Sequence, residues 1–435
     1  MNTDRPLRPS MQGVCTIHLH ESLPPPPGMH NRAVIDTDAL VYNYHTLLSH
    51  VQTVSSQTEA IAVVKADAYG HGIRPVAEAL VEAGCRRFAV SCIEEAMALR
   101  EILRERVPDS EVDILILGYT APENAAILSE WNITATLVSA VHAAALEKAA
   151  AACDVVVRVH AALDTGMNRI GYPAHSDSEI ADTVEALDAL FVESTHLRLD
   201  GLFTHFARAD EDLDDEWYTD GSLTATQYDR YRRVVDALEA RGCRPRVCHI
   251  CNSAAAVRFP SAHPERRPDA VRLGINLYGY GVPFPDDDSP LYPGLRPVMR
   301  LESMVSHVHT LLPGETVGYG GTYGADTPRR IATMPVGYAD GWLRALAGAT
   351  VTLHTAEGDV TAPLVGRICM DQCMVDVTDL PVTEGTRVTL FGQTTAELEA
   401  LAARAGTITY ELLCLITARV PRVYTHTTNK EVNHP

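Results

Sequence analysis

Short apolar runs alternate with amphipathic segments from about residue 60 to residue 273. The runs have the length of buried strands, and the amphipathic segments repeat their apolar residues at helical spacing. The runs are Ile61–Val64, Phe88–Ser91, Asp113–Leu117, Thr134–Val138, Val155–Val159, Gly201–Thr204, Val247–Ile250 and Ala270–Leu273, and the helical segments include Pro75–Glu82, Glu94–Arg104, Ala140–Ala152, Ser178–Phe191 and Thr224–Ala240. This repetition predicts an α/β fold, a (β/α)8 TIM barrel, with an open doubly wound sheet as the alternative. No G-x-G-x-x-G motif follows the first strand, which weakens a dinucleotide-binding interpretation.

The pattern changes after Leu273, where apolar segments follow one another with short turns between them. Turn dipeptides such as Pro313-Gly314 and Glu357-Gly358 separate these segments. One amphipathic segment, Thr395–Ala405, predicts a helix among them. We therefore expect a mainly antiparallel β domain, with strands at Met299–His309, Ile331–Pro335, Thr350–His354, Thr361–Val365, Cys373–Val377 and Arg387–Phe391.

The domain prediction has three parts. Residues 1–28 contain a polyproline stretch and no signal-peptide pattern, and they predict a flexible N-terminal tail. Residues 29–283 form the barrel and residues 284–435 the β-rich C-terminal domain. The Pro-rich segment Pro283–Pro297 is the expected linker between the two domains.

Charge and cysteine usage narrow the class of protein. The net charge is −20 without a basic block, so neither nucleic acid nor an anionic membrane is an expected partner. No apolar run reaches the roughly 20 residues that span a bilayer. The ten cysteines are scattered, and only Cys248 and Cys251 form a Cys-x-x-Cys unit. We expect reduced thiols in a cytoplasmic protein and no metal site.

Reactive side chains stand at the ends of several predicted barrel strands. They are Lys65, Arg169, His205, Ser253 and Arg272. Because barrel enzymes carry their catalytic groups at the carboxyl ends of the strands, these side chains are expected to converge on one face. A desolvated lysine attacks carbonyl compounds, and the backbone amides near Ser253 and Gly274 are suited to a phosphate. Together these features predict pyridoxal 5'-phosphate. The alternative for Lys65 is a side chain that reaches solvent from a strand end.

Four stretches of the chain resemble the bacterial alanine racemases, and the resemblance extends from about Asn31 to Arg422. Val64-Lys65-Ala66-Asp67-Ala68-Tyr69-Gly70-His71-Gly72 is similar to the cofactor-lysine motif of that family. Val317-Gly318-Tyr319-Gly320 is similar to its catalytic-tyrosine motif. The two further stretches are Gly366-Arg367-Ile368-Cys369-Met370-Asp371-Gln372 and Tyr410-Glu411-Leu412 through Arg419-Val420-Pro421-Arg422.

The resemblance implies a two-base racemase site on the fold-type III scaffold of pyridoxal-phosphate enzymes. Lys65 would carry the cofactor as a Schiff base and act as one base, and Tyr319 would be the base on the opposite face. Arg272 would face the pyridine nitrogen, and an arginine there favours a neutral ring nitrogen, because arginine keeps its proton. The implied cofactor-binding residues are Lys65, Tyr69, Arg169, His205, Asn252, Ser253, Arg272, Gly274, Ile275 and Tyr410. The implied substrate-binding residues are Arg169, Tyr338, Met370 and Asp371, with Arg344 beside Tyr338 at the entrance.

The function implied by the resemblance is the interconversion of L- and D-alanine in a homodimer with shared active sites. This activity would serve D-alanine biosynthesis. Serine or another amino acid is the alternative substrate, including one used in secondary metabolism. A non-catalytic cofactor-binding protein is a further alternative, although the second domain and Tyr319 argue against it. An amino acid decarboxylase on a related scaffold is another, and Arg272 argues against that one.

One position departs from the family pattern. The family commonly has a carboxylated lysine two residues before the Asp-Thr-Gly-Met motif, and this chain has Ala162 there. Alanine offers no charge to orient Arg169, so the resemblance leaves the substrate range less defined than the cofactor.

Overall fold

The computed structural model describes residues 30–53, 55–210, 221–262, 268–281 and 294–426. The expected N-terminal tail, residues 1–28, and most of the expected linker lie outside the described residues. Among the described residues, no helix is both long enough and apolar enough to cross a membrane.

Eight parallel strands form a closed barrel, as the hydrophobic pattern predicted. Each strand pairs with the next along the chain, the fourth pairs with the fifth, and the eighth returns to pair with the first. This closure rules out the open doubly wound sheet. The strands are Glu59–Val63, Arg87–Val90, Asp113–Ile116, Ile133–Leu137, Val157–Asp164, Leu197–Phe203, Val247–His249 and Ala270–Leu273.

Amphipathic helices cover the outside of the barrel. Local hydrogen bonds explain where these helices begin. At the start of Asp177–Glu193, the Ser176 side chain accepts from the backbone N–H of Glu179, and the Glu179 carboxylate accepts from the backbone N–H of Ser176. The two residues therefore form a capping box. The helix Thr37–Gln52 begins behind the cap Asp36 and packs between the first and last barrel helices. It thus occupies the position that an eighth helix would fill. The helices that follow the first seven barrel strands are Ile73–Glu82, Ile93–Arg104, Ala125–Glu130, Ala140–Cys153, Asp177–Glu193, Leu223–Ala240 and Ser253–Ala262.

The second domain is built on a nine-stranded sheet, and all its strand pairs but one are antiparallel. The predicted helix Thr395–Ala405 is present, and a second helix, Thr409–Leu415, leads back towards the barrel. The predicted strand Met299–His309 is in fact two strands, because the chain turns away at Val305. The strands are Arg32–Asp36, Met299–Met304, His307–Leu311, Arg329–Met334, Thr350–Thr355, Gly358–Val365, Cys373–Asp376, Arg387–Phe391 and Arg422–Thr425.

The strand Arg32–Asp36 lies outside the barrel, whereas the predicted domain division assigned residues 29–283 to the barrel. It pairs with Met299–Met304 on one side and with Arg422–Thr425 on the other. These residues therefore belong to the sheet of the β domain, and the chain crosses to the barrel only with the helix Thr37–Gln52. Local pattern could not reveal this, because both pairing partners are distant in sequence.

Candidate active site

One cavity of about 530 Å³ lies at the carboxyl ends of the barrel strands. Most of its walls come from loops that follow different strands, and Tyr410 reaches it from the helix Thr409–Leu415. Its lining includes the predicted residues Lys65, Tyr69, Arg169, His205, Asn252, Ser253, Arg272, Gly274 and Tyr410. The fold thus brings these residues together, although the sequence separates them widely.

The backbone directly after Lys65 is strained. Ala66, Asp67, Ala68 and Tyr69 all have φ between 53° and 55°, which makes one turn of left-handed helix without a single glycine. Such a conformation costs about 1–2 kcal/mol per residue for L-amino acids. The turn is held from outside: the Asp67 side chain accepts from Ile73 N at 2.7 Å, and Arg422 Nε donates to Gly70 O at 3.0 Å. The turn links Lys65 to Tyr69, so it fixes the spacing of two cavity residues.

The amine of Lys65 is prepared for attack on a carbonyl. Burial lowers the pKa of Lys65, and the positive charge of Arg169 lowers it further, whereas Glu95 opposes that change. Among the described residues no hydrogen bond or ion pair engages the Lys65 amine. A lowered pKa leaves more of the amine unprotonated, which is the nucleophilic form.

Hydroxyl groups and backbone amides form a cradle at one end of the cavity. Gly274 N donates to Ser253 Oγ at 2.8 Å, and the helix Ser253–Ala262 begins at the same point. A Cβ atom at Gly274 would lie 2.8 Å from the Tyr69 hydroxyl, so only glycine leaves this space open. Burial raises the pKa of Tyr410 to about 12 and that of Tyr69 further, so both phenols keep their protons as donors. A helix start with converging donors suits a phosphate group.

Arg272 is a buried cation without a carboxylate partner among the described residues. Its two terminal nitrogens donate to Thr204 O at 2.8 Å, Ile250 O at 2.9 Å and His249 Nδ1 at 2.8 Å. Burial lowers the pKa of Arg272 to about 10, so it stays charged at neutral pH. No hydrogen bond among the described residues uses its Nε, and the side chain lines the cavity. This N–H is therefore available to a ligand atom that accepts.

Two neutral histidines, His249 and His160, are linked to Arg272 by consecutive hydrogen bonds. Because a guanidinium only donates, His249 Nδ1 must accept, and its proton then sits on Nε2. That Nε2–H donates to His160 Nδ1 at 3.0 Å. Burial lowers the pKa of His160 to about 3 and lowers that of His249 well below its usual value, so both rings stay neutral. His205 lies 3.4 Å from Arg272, and burial lowers its pKa to about 3 as well.

The donor set fits the predicted pyridoxal 5'-phosphate. The cradle at Ser253 and Gly274 suits its phosphate, the free N–H of Arg272 suits its ring nitrogen, and Lys65 suits its aldehyde. Ala162 lies in the cavity wall with 1% of its surface exposed. Arg169 is exposed beside it and forms no hydrogen bond or ion pair with another described residue.

Apart from Tyr410, the predicted residues of the β domain do not line this cavity. Tyr319 is 71% exposed, Met370 53% and Tyr338 40%. Asp371 accepts from Arg419 at 2.8 Å, and Arg344 lies in a short exposed turn. Ile275 is buried just behind the cradle and is not part of the lining. The barrel residues and Tyr410 are therefore assembled within one chain, whereas Tyr319, Tyr338 and Met370 lie on the surface.

Comparison with known proteins covers both domains. The family "alanine racemase, N-terminal domain" matches residues 35–282, and "alanine racemase, C-terminal domain" matches residues 298–424. An alanine racemase of Desulfovibrio desulfuricans is 38% identical over 393 residues, which cover 90% of this chain and 97% of the relative. One of Geobacillus kaustophilus is 39% identical over 396 residues, covering 90% and 93%. The solved alanine racemase of Streptomyces coelicolor superposes with a TM-score of 0.77 at 34% identity, covering 91% of this chain and 98% of that one. The resemblance inferred from the sequence is thus confirmed.

Proposed function

This chain belongs to the alanine racemase family, and on that premise we propose that it interconverts L- and D-alanine with pyridoxal 5'-phosphate attached to Lys65. One observation carries the proposal: a lysine of lowered pKa shares a cavity with a phosphate-type cradle and an arginine whose Nε is free. Pyridoxal phosphate, when bound, withdraws electrons from the α-carbon of an attached amino acid and so acidifies its proton.

In this proposal, different residues bind the substrate and transfer the proton. Arg169 binds the substrate carboxylate, since its guanidinium is free for two parallel hydrogen bonds. The Lys65 amine removes or returns the α-proton on one face, and Tyr319 does so on the other, with its phenolate form taking a proton and its hydroxyl form giving one. Arg272 keeps its own proton and donates a hydrogen bond, which limits electron withdrawal and favours simple return of the proton.

The second base comes from a partner chain in this proposal. Tyr319 is exposed and outside the cavity of its own barrel, together with Met370 and Tyr338. A head-to-tail homodimer would bring these residues of one chain over the barrel mouth of the other. Two-fold symmetry would make two equivalent composite sites. It would also close the mouth to water, which strengthens the charges inside.

A complementation experiment tests the shared site. Lys65→Ala and Tyr319→Phe proteins should each be nearly inactive alone. After reversible dissociation and mixing, about a quarter of wild-type activity should return, because half of the dimers are hybrids with one intact site. The same proteins mixed without dissociation serve as the control. Hybrids that are verified by native mass spectrometry and remain inactive would show that Tyr319 acts within its own chain or is not the second base.

The attachment site has a direct chemical test, because the chain contains only three lysines, Lys65, Lys148 and Lys430. Borohydride reduction followed by peptide mapping should find the cofactor on Lys65. Lys148→Ala, a change on the outer helix Ala140–Cys153, is the matched control and should label normally. A label on another lysine would refute the assignment.

The alternative substrate, serine or another amino acid, has one observation in its favour. Ala162 leaves the cavity wall beside Arg169 without a long side chain. Incubation of each L-amino acid in deuterium oxide, followed by chiral analysis, decides between the substrates. Alanine should exchange fastest. A role in D-alanine biosynthesis and a cytoplasmic location stay predictions.

A further inference from the structure

The carboxylate of Glu95 bridges the ends of the first two barrel strands. Glu95 is the third residue of the helix Ile93–Arg104. Its Oε1 accepts from Ala66 N at 2.6 Å, and its Oε2 accepts from Ser91 N at 2.8 Å. Ala66 directly follows Lys65, and Ser91 lines the active-site cavity. Each carboxylate oxygen therefore holds one backbone amide at the rim of the site.

The amide of Ala66 opens the left-handed turn, where the backbone needs support. Ala66 has a φ of 54°. A strained conformation of this kind persists only where surrounding contacts determine it. Asp67 and Arg422 hold the middle and the far end of the turn, through Ile73 N and Gly70 O. Glu95 is the side chain that holds its near end, one peptide bond away from Lys65.

We propose that Glu95 is a positioning residue for Lys65, which anchors the Lys65–Ala66 peptide so that the amine points into the cavity ready to bond the cofactor. This inference rests on the proposed function, since it assumes that Lys65 carries pyridoxal phosphate. Without the anchor, the turn can relax towards ordinary backbone angles, and the lysine swings away from the cradle that binds the phosphate.

The charge of Glu95 is consistent with this position. Among the groups that act on Lys65, Arg169 lowers its pKa, and Glu95 and Cys414 raise it. Ala162 contributes no charge to this region. A carboxylate that makes two charge-assisted hydrogen bonds to amides is itself fixed in place, so its distance from the lysine is fixed as well.

The test uses the full-length protein from which the cofactor has been removed. Pyridoxal 5'-phosphate is added back, and its attachment to Lys65 is followed by visible absorbance in stopped flow. Glu95→Gln keeps the size of the side chain but replaces one acceptor oxygen by a donor group. It should slow attachment by about tenfold or more, the effect of losing one charge-assisted hydrogen bond. Glu94→Gln, an equal loss of charge at the exposed neighbouring position, is the matched control and should attach at the wild-type rate.

A second variant separates anchoring from charge. Glu95→Asp keeps the negative charge but is one methylene too short to reach both amides, so it should also attach slowly. Wild-type attachment in Glu95→Asp would overturn the proposal, whether or not Glu95→Gln is impaired. Lower melting temperatures with unchanged attachment rates would overturn it too, because they indicate a purely structural role. If Glu95→Gln does not fold, Glu95→Asp decides alone.

The wild-type protein distinguishes the two proposals. Borohydride should fix the cofactor on Lys65 of the wild type. If it labels another lysine, the proposed function fails. If it labels Lys65 and Glu95→Asp attaches the cofactor normally, only the positioning role fails.

Discussion

Gly274→Ala is expected to weaken cofactor binding without unfolding the protein. A Cβ at this position would lie 2.8 Å from the Tyr69 hydroxyl and 3.2 Å from Ser253 Oγ. The Tyr69 ring packs against Tyr278, with centroids 4.9 Å apart, and against Tyr410, so the clash is relieved only by a shift of Tyr69 or of Ser253. Overpacking of this kind costs about 1–3 kcal/mol. In the free protein Ser253 and Tyr69 can shift, but a bound phosphate needs them in place, so the cost falls mainly on binding.

The expected change is a rise of about 5- to 150-fold in the dissociation constant for pyridoxal 5'-phosphate. Equilibrium titration of the cofactor-free protein measures it, and thermal melting of the same samples reports the fold. Gly281→Ala is the matched control, because a Cβ there would meet only Asn276 Cβ at an ordinary 3.7 Å. An unchanged dissociation constant in Gly274→Ala would refute the assignment of this cradle to the phosphate. So would equal weakening in the control.

Two further predictions concern stability. Burial lowers the pKa of His71, His160 and His205 to about 3 and that of His249 well below its usual value, so unfolding takes up protons below the ordinary histidine pKa. The free energy of unfolding should therefore fall by roughly 5 kcal/mol from about pH 7.5 to about pH 5.5 in urea titrations, and an equal or higher value at the lower pH would contradict this account. Gly201→Ala should lose about 1–3 kcal/mol in the same assay, since a Cβ there would lie 2.5 Å from the His160 ring. Gly294→Ala, whose Cβ meets nothing within 4 Å, is the control, and equal losses in the two would argue against the packing explanation.

The barrel and the barrel half of the site were predictable because their signals are local. A buried parallel strand is a short apolar run, and its carboxyl end is the next residue or two. The run Ile61–Val64 therefore located Lys65 directly after it, and the run Ala270–Leu273 located Arg272 within its last two residues. The sequence left open whether the sheet closes into a barrel, and the pairing of the fourth strand with the fifth shows that it does.

Features that depend on distant contacts were missed. The left-handed turn from Ala66 to Tyr69 contains no glycine, so no residue type in the sequence indicates it. The sequence predicts Glu95 only as part of a helix, although in the folded chain its carboxylate accepts a hydrogen bond from the turn. His160 lies inside the fifth barrel strand, and only folding places it against His249. The strand Arg32–Asp36 has partners far along the chain, which periodicity cannot identify.

That strand affects the order in which the molecule is made. Arg32 reaches its partner Glu302 across 270 residues, and Ile35 reaches Thr425 across 390. At about 5–20 residues per second, a ribosome needs roughly 15–50 s to produce even the nearer partner. The barrel can close during that interval, whereas both edges of the apolar segment Arg32–Asp36 remain without their strand partners. The nascent chain is therefore expected to be exposed to aggregation and to chaperones at its leading end until the last strand emerges, and the β domain is the final part of the molecule to form.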